Sequence, residues 1–384
     1  MEQAVQIIMQ LIGSEVFGNK LSLPDEGCFT DKLLIEMLII SRNHNIAQLV
    51  ASALLKSGII ENSPQKGLFL NEIYSAVYSQ EKMSETCREI YALLEREKIP
   101  YIPLKGAVVR GLYPEPWMRV SGDIDILVKE KDKQAATNAI LESGGYELKK
   151  ESAYDVAFVS PNGTLLELHY RLFSDKKSVK GIPDVWASAE CDGDSEYRYK
   201  LSDGFFCYYH ILHMAKHLKN GGCGIRSFID LRLIEQTYSL DSDEVEKLLK
   251  KSGLSVFAYY ARRLCAVWFD GQKHDEQTLQ LEKYILDGGV FGTEKTKIIS
   301  QQQRTGGKRQ YYLSKIFVPY RSLKYLYPAL EKYPFLFPFY EVHRWFSFLF
   351  GKRKKFRKNY AALFDRVLSE QPDDYSLFEG LGLK

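Results

Sequence analysis

Residues 101–128 read YIPLKGAVVRGLYPEPWMRVSGDIDILV, and the end of this run sets a problem: Asp123 and Asp125 stand one residue apart in what is otherwise the Ile/Leu/Val composition of a buried strand. Side chains alternate faces along a strand, so Asp123, Asp125 and Leu127 share one side while Ile124, Ile126 and Val128 share the other. Two like charges this close repel, and burial raises the cost of each, so the pair persists cheaply only when a cation neutralises it. All-oxygen ligation suits Mg²⁺ or Mn²⁺, and Mg²⁺ sites combine one or two carboxylates with phosphate oxygens of a substrate. Alone, the triplet is weak: Asp123 as a turn cap and Asp125 as a solvent-facing edge-strand residue would read the same way.

The neighbours sharpen the reading. Upstream, LKG at 104–106 closes a short apolar run just before a brief helix, GAVVRGLY. That leaves free backbone N–H groups, a glycine that permits close approach, and Lys105 beside them, which is a place for phosphates. Downstream, LLELHYRL at 165–172 sets Glu167 between apolar residues on a second strand, so a third carboxylate can reach the same metal.

Together the Gly106 element, the Asp123/Asp125 strand and the Glu167 strand resemble the three-part signature of the DNA polymerase β-like nucleotidyltransferase superfamily. More closely, residues 100–172 are similar to a family of bacterial nucleotidyltransferases in which the LKG, the Arg before the aspartates, a DIDLLV-like strand and an ELHW-like strand recur. Here Tyr170 takes the place of the Trp. The sequence departs from the wider superfamily in having Lys105 and Ala107 around Gly106 rather than a Gly-Ser or Gly-Gly pair, and in a longer interval to Asp123. The resemblance implies an α+β fold: a polymerase-β-like nucleotidyltransferase core, a mixed sheet with helices, flanked by N-terminal helices and a larger C-terminal helical domain. It further implies Mg²⁺- or Mn²⁺-dependent transfer of a nucleoside monophosphate from an NTP, ATP among them, to an acceptor hydroxyl. Asp123, Asp125 and Glu167 are then the catalytic and metal-binding residues. Lys105, Gly106, Arg119 and Ser121 bind the nucleotide, Lys105 and Arg119 offsetting triphosphate charge. The acceptor, small molecule, RNA or protein, is not named by the sequence.

Working outward, 384 residues suit more than one core. Helical periodicity fills 1–98, clearest in DKLLIEMLIISRNHNIAQLVASALL and NEIYSAVYSQEKMSETCREIYALLEREK. Residues 99–180 read strand, helix, strand, helix (KDKQAATNAILESGG, ending on glycines), then a hairpin of YDVAFVS and TLLELHYRL around Pro161-Asn162-Gly163. From 181 to 384 the pattern is mainly helical, with Ser202 and Asp241 as N-caps and the boundary expected at 174–184.

Composition is ordinary for a globular protein, 45% hydrophobic and 26% charged, and a net charge of +3 does not mark an obligate nucleic-acid binder. Six scattered cysteines without a CxxC pair suggest neither a zinc ribbon nor a disulfide scaffold, and no segment approaches the ~18 uninterrupted apolar residues of a spanning helix. Without a basic, cleavable leader, a cytoplasmic protein is expected. Two features stand apart. His210, His213 and His217 form a stripe on one helix face with Asp230 downstream, so a helical-domain metal phosphohydrolase is a rival reading, although packing or acceptor contacts are the plainer role. The basic run 352–358, after an aromatic stretch, suits a solvated helix face, RNA or an anionic membrane surface. A non-catalytic nucleotide-binding or scaffold module of the same fold is the other rival; three retained carboxylates argue against it, because buried unpaired acids cost stability without a metal.

Overall fold

The computed structural model describes residues 2–172, 184–193, 195–305, 310, 317–320, 323–324, 327–350 and 376–383. The basic run 352–358 and most of the expected boundary at 174–184 lie outside these residues. The fold is α+β. Four helices come first: α1 (Glu2–Phe17), α2 (Asp31–Asn43), α3 (Ala47–Lys56) and the long α4 (Lys66–Arg96). Next come β1 (Tyr101–Pro103), α5 (Gly106–Val109), β2 (Asp123–Val128), α6 (Lys133–Glu142), β3 (Glu147–Glu151), β4 (Asp155–Val159) and β5 (Leu165–His169). A small hairpin, β6 (Ala189–Cys191) and β7 (Tyr199–Leu201), leads into α7 (Asp203–Lys219), α8 (Ile225–Thr237), α9 (Ser242–Ser252), α10 (Ser255–Asp270), α11 (Glu276–Gly288) and α12 (Glu294–Thr305).

The five-stranded sheet runs β1-β2-β5-β4-β3, with β2 and β5 parallel and the other pairs antiparallel. The β4–β5 hairpin turns at the expected Pro161-Asn162-Gly163, where Gly163 adopts φ 82° and the Ser160 N–H donates to the Thr164 carbonyl at 2.9 Å. Ser202 and Asp241 cap their helices through their side chains, as their residue types suggest. Strand β3, ELKKE, escapes a reading by apolar alternation because all five residues are exposed on the sheet edge, where charge discourages further pairing.

Period-2 patterning gives the central strand β2 two different faces. Ile124, Ile126 and Val128 pack with Met83, Ile90 and Leu94 of α4 and Ala136 and Ile140 of α6. Leu127, on the opposite face, joins a second core with Ile102, Leu104 and the aromatic side of α7. That core also joins the N-terminal helices to the C-terminal ones: the Phe17 and Phe269 rings meet at a tilt with centroids 4.8 Å apart, and the Asn19 amide donates to the Phe269 carbonyl at 2.7 Å. The face of β2 that carries the aspartates is therefore the one turned toward the C-terminal helices. No helix among the described residues is long and apolar enough to cross a membrane. Helix Phe337–Phe350 leaves Phe339 and Phe346 exposed.

The helical run at 31–55 is interrupted: the chain turns at His44–Ile46, with Asn45 at φ 54°, before α3 begins. His44 is buried there and its Nδ1 accepts the Ile225 N–H at 3.2 Å, joining the break to α8. Burial pushes its pKa down to about 4, although a backbone hydrogen bond at Leu286 acts the other way. With the folded value below the ordinary 6.5, the unfolded chain binds more protons between the two. Stability from this group is whole above about 6.5 and falls as the pH drops toward 4. Between pH 7 and pH 5 the loss should be about 2 kcal/mol in urea unfolding. His44→Asn, whose Oδ1 can take the same hydrogen bond, should lose less; an identical loss would exonerate His44.

Candidate active site

The site is built where β1 ends. The Leu104 N–H donates to the Asp125 carbonyl at 3.0 Å, extending the β1–β2 pairing by one residue. Lys105 then takes φ 42° and ψ −113°, a positive-φ conformation that costs a side-chain-bearing residue about 1–3 kcal/mol. The turn delivers its ammonium to Asp125, with Nζ 2.8 Å from Oδ1.

Gly106, at the start of α5, is needed for space. A Cβ there would lie 2.6 Å from Arg119 Nη1 and 3.0 Å from Ser121 Oγ. Neither neighbour can easily yield: Arg119 is held by Asp230, and Ser121 Oγ accepts from Arg110 Nη2 at 2.8 Å. Arg110 also donates to the Gly106 carbonyl and to Gln80 of α4. Gly106→Ala should therefore lose about 1–3 kcal/mol by overpacking, read as a lower thermal midpoint; an unshifted midpoint would show that the Arg119 side chain gives way freely.

Parallel pairing decides the carboxylates. Asp125 is in register with Glu167, and Leu127 with His169, so alternate residues of the two strands project from one face. Asp125, only 3% exposed, meets His169 Nε2 at 2.7 Å, and the same nitrogen is 3.5 Å from Glu167 Oε2. Asp125, Glu167 and His169 each offer a ligand atom, all within 4.8 Å of one another, which makes a candidate metal site of two oxygens and one nitrogen. Asp123 lines the same cavity but is outside that closest cluster. Burial works to raise the Asp125 pKa, but Lys105 and His169 hold it well below the usual carboxylate range. Asp123 is pushed up by burial and by the charge of Asp125. Burial disfavours a charged His169, yet its bonds to Asp125 and Glu167 raise it to about 9. The solvent-facing alternative for Asp125 is thus excluded by burial. His169 is the member that strand reasoning passed over, though it lies two residues beyond Glu167 and so on the same face.

These groups open on a cavity of about 340 Å³ between the sheet and the C-terminal helices. Lys105, Gly106, Arg119, Ser121, Asp123, Asp125 and Glu167 line it on the sheet side. Facing them are the α7 histidines, Arg226 and Ser227 at the entry to α8, and the exposed Phe291. Arg119 is engaged elsewhere than with a ligand: its Nη2 lies 2.9 Å from Asp230 Oδ2, and the Tyr113 hydroxyl donates to Asp230 Oδ1 at 2.7 Å. His210 Nε2 is bonded to the Ser227 carbonyl, while His213 and His217 place their Nε2 atoms 3.2 Å apart. Burial and the Lys105 charge depress both, His217 to about 4, so this pair is neutral at physiological pH. With Asp230 bound to Arg119, no three-ligand cluster among the described residues includes the histidine stripe.

With the geometry in view, residues 35–270 match the family model described as "Uncharacterised nucleotidyltransferase". The chain belongs to this nucleotidyltransferase family. The matched span holds the whole lining of the cavity except Val290 and Phe291. Comparison with curated proteins gives no match. Among solved structures, the solution structure of the antibiotic-resistance factor ANT(2'')-Ia is similar at 15% identity and a TM-score of 0.35, covering 51% of this chain and 100% of the other. That likeness is too loose to carry an argument about substrate.

Proposed function

We propose that this nucleotidyltransferase moves a nucleoside monophosphate from an NTP to an acceptor hydroxyl. The acceptor oxygen bonds to the α-phosphorus as the bond from that phosphorus to the bridging oxygen breaks. Pyrophosphate leaves with the electron pair, and the hydroxyl proton passes to Glu167, a quarter exposed in the cavity and so reachable. The single observation that carries this reading is the in-register pairing of Asp125 with Glu167 beside Gly106.

Asp125, Glu167 and His169 would hold the divalent cation, with Asp123 alongside. The ligand atoms converge, but Lys105 and His169 already sit on the same carboxylate, so a bound ion would take the place of those charges and His169 would have to give up its proton to ligate. Two carboxylates suit Mg²⁺ or Mn²⁺, and the imidazole widens the choice toward softer ions. When bound, the ion supplies charge neutralisation and polarisation at the phosphates. Lys105 sets the charge of the site without it, and the neutral His213/His217 pair lines the facing wall, where the acceptor would enter. The acceptor class, small molecule, RNA or protein, is left to experiment.

The test is incubation of the purified protein with each α-labelled NTP and Mg²⁺ or Mn²⁺, with and without a small-molecule and RNA extract. Transfer of label with release of pyrophosphate supports the reading. No NTP binding in the presence of either ion would end it.

A further inference from the structure

Three cationic side chains line the cavity, and two of them are already neutralised. Lys105 is paired with Asp125 and Arg119 with Asp230. The third, Arg226, has no carboxylate within ion-pair distance among the described residues. One arm, Nη1, donates to the Val120 carbonyl, immediately before the Ser121-Gly122 turn that leads into the aspartates. Its Nε is buried without a hydrogen-bond partner. A guanidinium presents five donors in a fixed fork; among the described residues only Nη1 meets an acceptor, and because the side chain lines the cavity a further acceptor would come from a ligand there. Burial and the neighbouring Arg119 charge press the Arg226 pKa down, and the more distant Asp230 and Asp123 offset this only in part.

The missing acceptor is anionic and oxygen-rich, because that is what a forked guanidinium matches, and Arg226 faces the carboxylate cluster across one cavity. We infer that Arg226, reaching in from the C-terminal helices, holds the β- and γ-phosphates of the bound NTP. The inference rests on the nucleotidyl-transfer reading and deepens it: the phosphates would join the sheet to the entry of α8, a role that neither Lys105 nor Arg119 is free to fill. The tie to Val120 keeps the fork beside the turn that positions Asp123.

The test measures binding of Mg²⁺-ATP, Mg²⁺-tripolyphosphate and AMP by calorimetry to wild type, Arg226→Gln and Arg226→Lys. Losing one charge-assisted forked contact should weaken ATP and tripolyphosphate about 10- to 100-fold in Arg226→Gln. AMP should change less than about threefold, since it lacks the phosphates concerned, and Arg226→Lys should recover part of the loss as a point charge. Tripolyphosphate binding within twofold of wild type in Arg226→Gln overturns the inference alone, leaving nucleotidyl transfer standing. Equal weakening for AMP and tripolyphosphate overturns it too, since the arginine would then serve only to brace the Val120 turn. If Arg226→Gln fails to fold, Arg226→Lys decides by the same ratio. Wild type that binds neither ATP nor tripolyphosphate removes both proposals together.

Discussion

Asp125→Asn is expected to lower nucleotidyl transfer by about a thousandfold, the scale of several kcal/mol of electrostatic stabilisation at the reacting phosphate. Asp125 is the common partner of Lys105, 2.8 Å away, and His169, 2.7 Å away, so its charge organises the whole cluster. The same substitution therefore has a readout independent of activity. The hydrogen bond to Asp125 leads the effects that hold His169 at about 9 against burial. In the variant His169 should titrate nearer its ordinary 6.5, as followed by NMR of the labelled imidazole. A His169 still titrating near 9, or transfer within tenfold of wild type, would mean that Asp125 is not the organising charge. Glu167→Gln is the companion: Glu167 is the more exposed acid, so activity should fall with less disturbance of the buried cluster.

The largest loss of stability should come from Asp230→Asn. Asp230 is almost fully buried, accepts from Arg119 and from the Tyr113 hydroxyl, and so joins α8 to the segment just ahead of β2. Burial opposes its charge, but Arg119 holds its pKa below the ordinary value. Removing the charge leaves a buried guanidinium without a counter-ion, which costs about 3–5 kcal/mol, whereas replacing both partners by apolar residues of similar size is often neutral. Urea unfolding should show the single variant strongly destabilised and Arg119→Met/Asp230→Leu much less so. The pair has no structural weight if the single variant unfolds at the wild-type midpoint.

Local chemistry accounts for what was legible along the chain. The two-residue period of a strand is enough to put Asp123 and Asp125 on one face, and both line the same cavity. The Pro161-Asn162-Gly163 turn and the caps at Ser202 and Asp241 follow from side-chain chemistry acting over two or three residues. Glu167 is legible as an acid between apolar residues of a second strand, but its parallel register opposite Asp125 is not, because an acid in one strand does not reveal how the strands will align. His169 was within reach of the same two-residue rule, and was missed because a histidine in an apolar strand reads first as core.

The sequence by itself determined the alternation of β2, the hairpin that turns β5 back, and the supply of acids, because these depend on contacts between near neighbours in the chain. Only the tertiary structure decided that β5 lies parallel to β2 in the register that opposes Glu167 to Asp125. It alone assigned Arg119 to Asp230, 111 residues away, and set Arg226 in the cavity wall with no ion pair among the described residues. Those choices are settled by burial: which charges end up inside together, and which of them must then find a partner, depends on how separately formed elements pack, and no local pattern records it.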